Sequence, residues 1–523
     1  MFRQLILPAA VVVIALAGIG AFLVNTEKSN NAIAEKKATS PSLAELQPEL
    51  VLNEREQQLN DINLILASRV PDLISGNAQQ IQREATPWLD PALDDIYQQL
   101  ENLKLSIRFP YDEETFAIWV GNPYKVVEGK KVYQHSEVLK KAVPLINQIP
   151  FPVRIWFYGT RDQSNPELGE CIESLADITN LGGIKFSYCR INERGCAALR
   201  TLPNLTNLEI LRSSLNDAGF NQIVQNKKLR RLHTTFGTQK ISSKTVEKVT
   251  ELPELENLKL IVSLDPQSAA SFWKKLAACK NLVDLEVDCG SVTRKIMVDF
   301  LKKGDHKKLQ KWKIYGVFPR KELANALAMA PNLEELHFPS GSLSDTSYLL
   351  EQLSKHHPHM KSLSIGWSGG ENFLKGDEAR TAFSQLARFP HLETFFVPIL
   401  LPDPEALQPL TRLRYLESFY CKNLNLNQAT LLELAQMPSL RKLTVDSLEF
   451  GQEAGHLLPW LSKVKQIEIN NPTTLTDKRL SLLATMPRLT ELKWCDIGIK
   501  EPIPLTDTAR SRFQYINFNV CEK

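Results

Sequence analysis

The sequence predicts an α/β solenoid: a curved ladder of parallel strands with outer helices, preceded by a transmembrane helix and a helical N-terminal region. Three observations predict this fold class. A pattern of apolar residues recurs at a near-constant period through the C-terminal two thirds of the chain. Each copy is long enough for one short strand and one helix. A run of 20 uncharged residues stands near the N-terminus.

The composition limits the classes of function. The chain has 523 residues, of which 43% are hydrophobic, so it can bury a large core. Its 62 basic and 59 acidic residues leave a formal charge of +3, and this balance predicts no nucleic-acid partner. Eight cysteines without a CxxC pair predict neither a disulfide scaffold nor a zinc ribbon.

A short tail, residues 1–4, precedes the uncharged run at residues 5–24. At about 1.5 Å per residue this run reaches about 30 Å, enough to cross a bilayer. The apolar region of a cleaved signal is usually about 7–15 residues long, so we expect a retained single-pass anchor, with an uncleaved or cleaved signal as the alternative. The short tail favours the bulk of the chain lying outside the cytoplasm.

Composition changes divide the rest of the chain. Residues 25–44 are polar and aperiodic, which predicts a flexible linker. Residues 45–100 have helix-spaced apolar positions, cut by prolines into short helices. Residues 101–180 alternate strand and helix patterns, which predicts an α/β capping region or degenerate repeats. Residues 181–523 contain the repeat.

The repeated unit is L-x-x-L-x-L. Its copies begin mostly 24–27 residues apart, with 32 residues before Leu392 and 21 after it. The clear copies begin at Leu181, Leu205, Leu255, Leu282, Leu309, Leu333, Met360, Leu392, Leu440, Val464 and Leu489, and the weaker ones at Leu229, Leu413 and Phe513. One such unit is a weak signal, but more than ten at one period indicate a repeat architecture.

These copies resemble the leucine-rich repeat family in its ribonuclease-inhibitor-like form. The stretches "INERGCAAL" and "LNDAGFNQI" are similar to the bacterial 24-residue variant, in which a turn leads from the strand into a helix. In the unit that contains the second stretch, Leu208 and Ile210 point inward from a strand. Asn216 and Asp217 supply oxygens that cap the next helix, and Gly219 allows close packing. Since no unit buries its apolar face alone, neighbouring units must stack.

The stacking places alternate strand residues on the concave side. The acidic row Asp284, Glu286 and Asp288 falls beside the basic pair Lys311 and Lys313. Such rows form either lateral ion pairs between solvated neighbours, each worth about 0–1 kcal/mol, or a charge-patterned surface that recognises one protein. We keep both interpretations for these residues.

Aromatic residues cluster in consecutive units, and interfaces favour such side chains. The cluster consists of Tyr315, Trp367, Phe396, Tyr415, Phe419 and Tyr420. The long unit adds residues 366–380, which contain four glycines and predict a projecting loop. The alternative is a tolerated insertion with aromatic residues that fill an irregular core.

We interpret the histidine-rich turn, the glycosylation sequon and two cysteines as structural features. His356, His357 and His359 occupy a pre-strand turn and have no acidic or Cys partner at metal-site spacing, so we expect no metal. Asn204 fits a glycosylation sequon but belongs to the Pro-Asn-Leu element of the repeat. Cys189 and Cys421 take the ninth position of their units, where the family often bonds neighbouring turns. Nothing in the sequence resembles G-x-S-x-G, a phosphate loop, H-E-x-x-H or a dinucleotide fingerprint, so we expect no catalytic or cofactor-binding residues.

The resemblance implies a non-catalytic scaffold or receptor that binds a protein on its concave face and needs no cofactor, and the uncharged run at residues 5–24 predicts that it is anchored in a membrane. Two alternatives remain open. One is an enzyme or enzyme regulator with its active region in residues 45–180. The other is a soluble or secreted effector or adaptor, with the segment at residues 5–24 misread.

Overall fold

The computed structural model describes residues 93–108, 116–120, 124–127, 130–133, 135–159, 168–235, 241–290, 292–315, 321–338, 346–365, 376–396, 404–451, 454–470, 477–494 and 517–520. All of them belong to one compact unit, which begins at Pro91. Within these ranges, no helix is long and apolar enough to cross a bilayer. The predicted span at residues 5–24, the linker at residues 25–44 and most of the helical region at residues 45–100 lie outside them.

The strands of the described ranges form one sheet of 17 members and a separate two-stranded hairpin. In chain order they are β1 (Leu105–Arg108), β2 (Phe116–Val120), β3 (Tyr124–Val127), β4 (Lys130–Tyr133), β5 (Val153–Tyr158), β6 (Leu181–Ser187), β7 (Asn207–Leu211), β8 (Arg231–Thr235), β9 (Asn257–Ile261), β10 (Asp284–Asp288), β11 (Lys311–Ile314), β12 (Glu335–Phe338), β13 (Ser362–Ile365), β14 (Thr394–Phe396), β15 (Ser418–Leu426), β16 (Lys442–Phe450), β17 (Gln466–Ile469), β18 (Glu491–Trp494) and β19 (Asn517–Val520). β3 and β4 form the hairpin.

Helices connect successive strands. They are α1 (Asp94–Asn102), α2 (His135–Ile146), α3 (Gly169–Glu173), α4 (Glu193–Thr201), α5 (Asp217–Ile223), α6 (Ser243–Glu247), α7 (Pro266–Leu276), α8 (Arg294–Lys303), α9 (Lys321–Leu327), α10 (Thr346–His356), α11 (Gly376–Leu386), α12 (Pro404–Leu407), α13 (Gln428–Gln436), α14 (Ala454–Leu457) and α15 (Asp477–Leu483). Short 3₁₀ turns directly follow four of the shorter helices, at Ser174–Asp177, Lys248–Glu251, Gln408–Arg412 and Leu458–Trp460.

The large sheet is a parallel ladder that follows the order of the chain. β1 is antiparallel to β2, and from β2 through β5 and β6 to β19 each strand pairs in parallel with the next. The apolar positions match in register, so that Leu208 lies between Ile184 and Leu232. This is the strand ladder with helices expected of a leucine-rich repeat solenoid.

The core lies between the inward strand residues and the helices. Phe383 of α11 contacts Phe395 of β14 and Phe419 of β15, with ring centroids 6.2 and 6.3 Å apart. Phe300 of α8 packs in the same way on Trp312 of β11, at 5.4 Å. The inward residues are almost fully buried, so each layer of the core is shared by neighbouring repeats, as stacking requires.

The turns into the helices confirm the predicted caps. The amide of Gly195 donates to Oδ1 of Asn192 at 2.9 Å, and the amide of Gly219 donates to Oδ1 of Asn216 at 2.8 Å. A Cβ atom on Gly219 would lie 2.7 Å from Sγ of Cys196, which explains why this position is glycine. Asp217 does not cap its own helix; its carboxylate accepts from the amide of Ser242 in the next repeat.

One repeat begins three residues later than the sequence predicts. Phe419 pairs with Phe395 and Leu443, so this copy begins at Leu416 and not at Leu413. Leu413 is a buried residue of the preceding turn, and two leucines three residues apart imitate the first half of L-x-x-L-x-L. With this correction, the copies begin at positions 392, 416, 440 and 464, each 24 residues after the last.

The two ends of the ladder also depart from a simple repeat. At the C-terminus, β19 pairs Phe518 with Leu492, so Phe518 takes the second apolar position of the last copy and not the third, as the sequence predicts. At the N-terminus, β2 and β5 from residues 101–180 join the same sheet as β6, and α2 connects them. This stretch therefore forms the first layers of the ladder.

Candidate functional site

One face of the sheet carries polar residues and faces away from the helices. In β7, β9 and β10 the exposure alternates strictly, with half-buried outward residues between buried inward ones. Parallel sheets usually have both faces covered by helices, so a polar, accessible face is unusual. We call this side of β5–β18 the open face.

Glu286 is the centre of a charged cluster on the open face. Its carboxylate lies 2.8 Å from Nζ of Lys259 and 3.1 Å from Nζ of Lys313, and it accepts a hydrogen bond of 2.6 Å from the hydroxyl of Tyr315. Burial alone would raise the pKa of Glu286, but the three hydrogen bonds hold it below the ordinary value. Burial and the adjacent carboxylate raise the pKa of Tyr315.

The other predicted charged residues divide into paired and unpaired groups. Nζ of Lys311 lies 2.6 Å from Oε1 of Glu335, and the carboxylate of Asp288 accepts from the amide of Gly290 at 3.2 Å. Asp284 forms no hydrogen bond or ion pair within the described ranges. The structure thus brings all five predicted charges together, with lateral pairs across neighbouring strands.

A second charged cluster lies upstream. Oε1 of Glu209 is 3.4 Å from Arg154, Oε2 is 3.2 Å from Lys185, and Oε2 is 3.9 Å from Nδ1 of His233. Burial lowers the pKa of His233 to about 4, against the opposing effect of Glu209, so this imidazole is neutral at pH 7. Lys185 also lies 4.3 Å above the ring of Trp156.

The predicted aromatic cluster does not form one patch. Tyr315 and Phe396 lie on the open face, and the ring of Phe396 stacks on Tyr420 with centroids 3.8 Å apart. Tyr415 is 54% exposed, but it belongs to the turn before β15 and stacks on His391. Phe419 is fully buried in the core, so its prediction as a binding residue is wrong.

Part of the predicted aromatic site lies outside the described ranges. Trp367 and residues 366–375 of the expected loop lie outside the described ranges, and α11 begins within the remainder at Gly376. Sequence reasoning also missed Trp156 and Tyr158 on β5, of which Tyr158 is 40% exposed. β5 precedes the first copy of the repeat, so no register predicted which of its residues face outward.

The histidine-rich turn has a structural role. His357 is 1% exposed in the turn before β13, and its carbonyl accepts from the amide of Met360 at 3.1 Å. His359 is on the turn surface, and its ring is tilted against that of His391 with centroids 6.0 Å apart. Within the described ranges, no group of three or more His, Cys, Asp and Glu residues is arranged to hold a metal ion.

Neighbouring turns are joined by the predicted polar positions. The thiol of Cys189 is 3.6 Å from the carbonyl of Phe157 in the preceding layer, which agrees with the role expected for this residue. Nδ2 of Asn204 donates to the carbonyl of Thr179 at 2.6 Å, so the sequon side chain joins two repeats. Cys421 is different from the prediction: it pairs in register with Val445 as an inward core residue.

Comparisons with known proteins add little to this picture. No known sequence family and no curated protein matches the chain. An internalin from Listeria monocytogenes is 14% identical, over 74% of this chain and 97% of that one, with a TM-score of 0.40. A TLR13–ssRNA13 complex is 16% identical, over 80% of this chain and 57% of that one, with a TM-score of 0.39. Both scores are below 0.5, so the fold assignment rests on the strand register and the burial pattern.

Proposed function

We propose that this chain is a non-catalytic leucine-rich repeat scaffold that binds a protein partner through the open face. The observation that carries the proposal is the uncovered polar face of a long parallel ladder. The helices cover only one face of this sheet, so the other face is exposed to water. Most parallel sheets have helices on both faces. A docked protein would complete the second layer.

The outward residues of β13–β15 are the proposed centre of this interface. They are Ser362, Ser364, Thr394, Phe396, Ser418 and Tyr420, and we call them the uncharged window. Charged residues border the window at Glu335 of β12 on one side and at Lys442 of β16 on the other. Interface centres are depleted in charge and enriched in aromatic residues, and their rims are polar.

The accessible part of the window is small and mostly hydroxylated. Tyr420 is only 5% exposed, because it stacks on Phe396 and hydrogen bonds with Asp446. Phe396 and the serines are half-buried. A partner would therefore meet one aromatic surface surrounded by serine and threonine hydroxyls, which supply hydrogen bonds without the desolvation cost of a charge.

Several finer predictions belong to the same proposal. The ribonuclease-inhibitor-like subtype is supported by the Asn caps of α4 and α5 at the turns quoted above. The single-pass anchor at residues 5–24, with the bulk of the chain outside the cytoplasm, is supported by the sequence alone. The exclusion of nucleic acid is supported by the formal charge of +3 and by the pairing of open-face lysines with glutamates.

A pair of serine-to-arginine substitutions tests the interface. Ser364→Arg places a long charged side chain in the window, whereas Ser384→Arg places the same side chain on the exposed side of α11. Proximity labelling from the C-terminus in cells identifies neighbouring proteins for the wild type and for each variant. We expect at least one protein to lose labelling with Ser364→Arg and to keep it with Ser384→Arg. Identical labelling in both variants would contradict docking at the window.

A further inference from the structure

A groove of about 160 Å³ crosses the open face over β7–β10. Four residues of one outward row line it in consecutive strands: Asn207, Arg231, Asn257 and Asp284. Parallel neighbours are about 4.7–4.9 Å apart, so the row extends over three strand spacings. Pockets for drug-sized ligands have about 300–1,000 Å³. The groove therefore suits a single side chain of a larger ligand.

Asp284 differs from the other carboxylates beside the groove. Glu209 is paired with Arg154 and Lys185, and Glu286 is paired with Lys259 and Lys313. The carboxylate of Asp284 has no such partner within the described ranges.

The neighbourhood of Asp284 explains this difference. Lys311 is adjacent in register, but its Nζ is directed to Glu335 at 2.6 Å. Burial is the main cause that raises the pKa of Asp284; Lys311 opposes it, Glu335 and Glu286 add to the rise, and Lys259 opposes it. Within the described ranges, Asp284 is thus a half-buried carboxylate that forms no ion pair.

Other polar groups that line the groove also lack hydrogen-bond partners within the described ranges. The side-chain amides of Asn207 and Asn257 form no hydrogen bonds within the described ranges, and Asn257 is the direct neighbour of Asp284. Nε2 of His233 is buried and without a partner in the same part of the chain. Buried or half-buried polar groups normally find partners, so several such groups around one groove indicate a missing ligand.

We propose that the groove binds an arginine side chain of the protein partner, with its guanidinium paired to Asp284 and hydrogen bonded to Oδ1 of Asn257. This inference rests on the proposed function and names the chemistry of the partner at one point of the open face. The planar guanidinium has five N–H donors and forms bidentate contacts with carboxylates, whereas lysine has a single compact ammonium. Arg231, two strands from Asp284, disfavours a cation at its own end and directs the guanidinium towards β10.

Small arginine derivatives test the groove without the partner. Nα-acetyl-L-arginine methylamide is titrated into the purified full-length chain by ligand-observed NMR, alongside the citrulline analogue, in which a neutral urea replaces the guanidinium. We expect the arginine probe to bind about tenfold more tightly than the citrulline probe. Asp284→Asn should weaken the arginine probe by about tenfold, and Asp299→Asn on the outer helix α8 should leave it unchanged.

The same variants separate a binding role from a stabilising one. A carboxylate with a raised pKa destabilises the folded state at neutral pH, so Asp284→Asn should unfold at the same or a higher temperature than the wild type. A marked loss of thermal stability would overturn the proposal, because Asp284 would then be a structural group.

Further outcomes would also overturn it: no binding of the arginine probe, equal binding of the citrulline probe, equal affinity in Asp284→Asn, or equal or tighter binding of Nα-acetyl-L-lysine methylamide. These failures are distinguishable from failure of the proposed function. If the Ser364→Arg labelling loss persists while the probe fails, only the groove assignment is wrong. If the probe binds as expected while labelling is identical in Ser364→Arg and Ser384→Arg, the proposed interface is wrong.

Discussion

Replacing His357 with leucine should make the stability of the chain less sensitive to acid. His357 is 1% exposed and takes the turn position that Leu252 and Leu461 fill in other repeats, where both leucines are 2% exposed. Leucine is therefore already accepted at this place in the fold. Burial, and to a smaller extent the nearby His356, lowers the pKa of His357 to about 4.

The expected loss of unfolding free energy follows from the lowered pKa of His357. Above pH 6.5 the imidazole is neutral in both the folded and the unfolded chain, so pH has no effect through this group. As the pH falls below about 6.5, His357 binds a proton in the unfolded chain but stays neutral in the folded chain. The free energy of unfolding therefore falls until the pH reaches about 4. With about 1.36 kcal/mol per pKa unit, the wild type should lose about 2.5 kcal/mol between pH 7.5 and pH 4.5 through His357 alone.

Urea denaturation at pH 7.5 and pH 4.5, followed by tryptophan fluorescence, measures the change in unfolding free energy. His357→Leu should remove about 2.5 kcal/mol of the difference between the two pH values, while other buried histidines such as His306 contribute equally to both proteins. His359→Leu, in the exposed part of the same turn, is the matched control and should keep the wild-type difference. The reasoning is refuted if His357→Leu and wild type lose the same stability on acidification.

Further results are expected from the corrected start of the repeat copy at Leu416, from the asparagine caps, from the buried thiols and from the expected absence of nucleic-acid binding. Phe419→Ala should cost about 3–5 kcal/mol of unfolding free energy, whereas Tyr415→Ala should cost less than about 0.5 kcal/mol; equal losses would support the frame that begins at Leu413. Asn216→Ala should cost about 0.5–2 kcal/mol in the same denaturation assay, and an unchanged midpoint would contradict the cap. Burial raises the pKa of Cys189 to about 12, so mass spectrometry should detect its maleimide adduct only after unfolding, and native labelling would show that the turn opens. Fluorescence anisotropy should detect no saturable binding of single-stranded RNA at physiological salt, and a binding curve would disprove the exclusion of nucleic acid.

The fold was predictable because the repeat signal is spread over many copies. Each L-x-x-L-x-L fixes which strand residues face the core, and the period fixes the neighbours in the ladder. The predicted start of a repeat copy was wrong at Leu413, because Leu413 and Leu416 are three residues apart and both are buried. A fixed 24-residue spacing from Leu392 to Leu440 would have selected Leu416. The misplaced frame also caused the errors at Phe419 and Cys421.

The candidate site was less predictable, since contacts among outward side chains depend on geometry that the repeat does not encode. The sequence placed Glu286 beside Lys313, and the structure confirms that they are neighbours. It gave no reason for Lys311 to pair with Glu335 and not with Asp284, because both carboxylates are adjacent to this lysine in register. That choice depends on side-chain rotamers and local burial.

Photo-cross-linking in cells tests the central claim, that a protein docks on the open face, most directly. A benzoylphenylalanine residue replaces Ser364 in the uncharged window or, in a separate variant, Ser384 on α11, and irradiated samples are analysed for adducts with other proteins. The account predicts a discrete protein adduct from position 364 and none from position 384. An adduct from position 384 alone would place the docking surface on the helices and contradict the account.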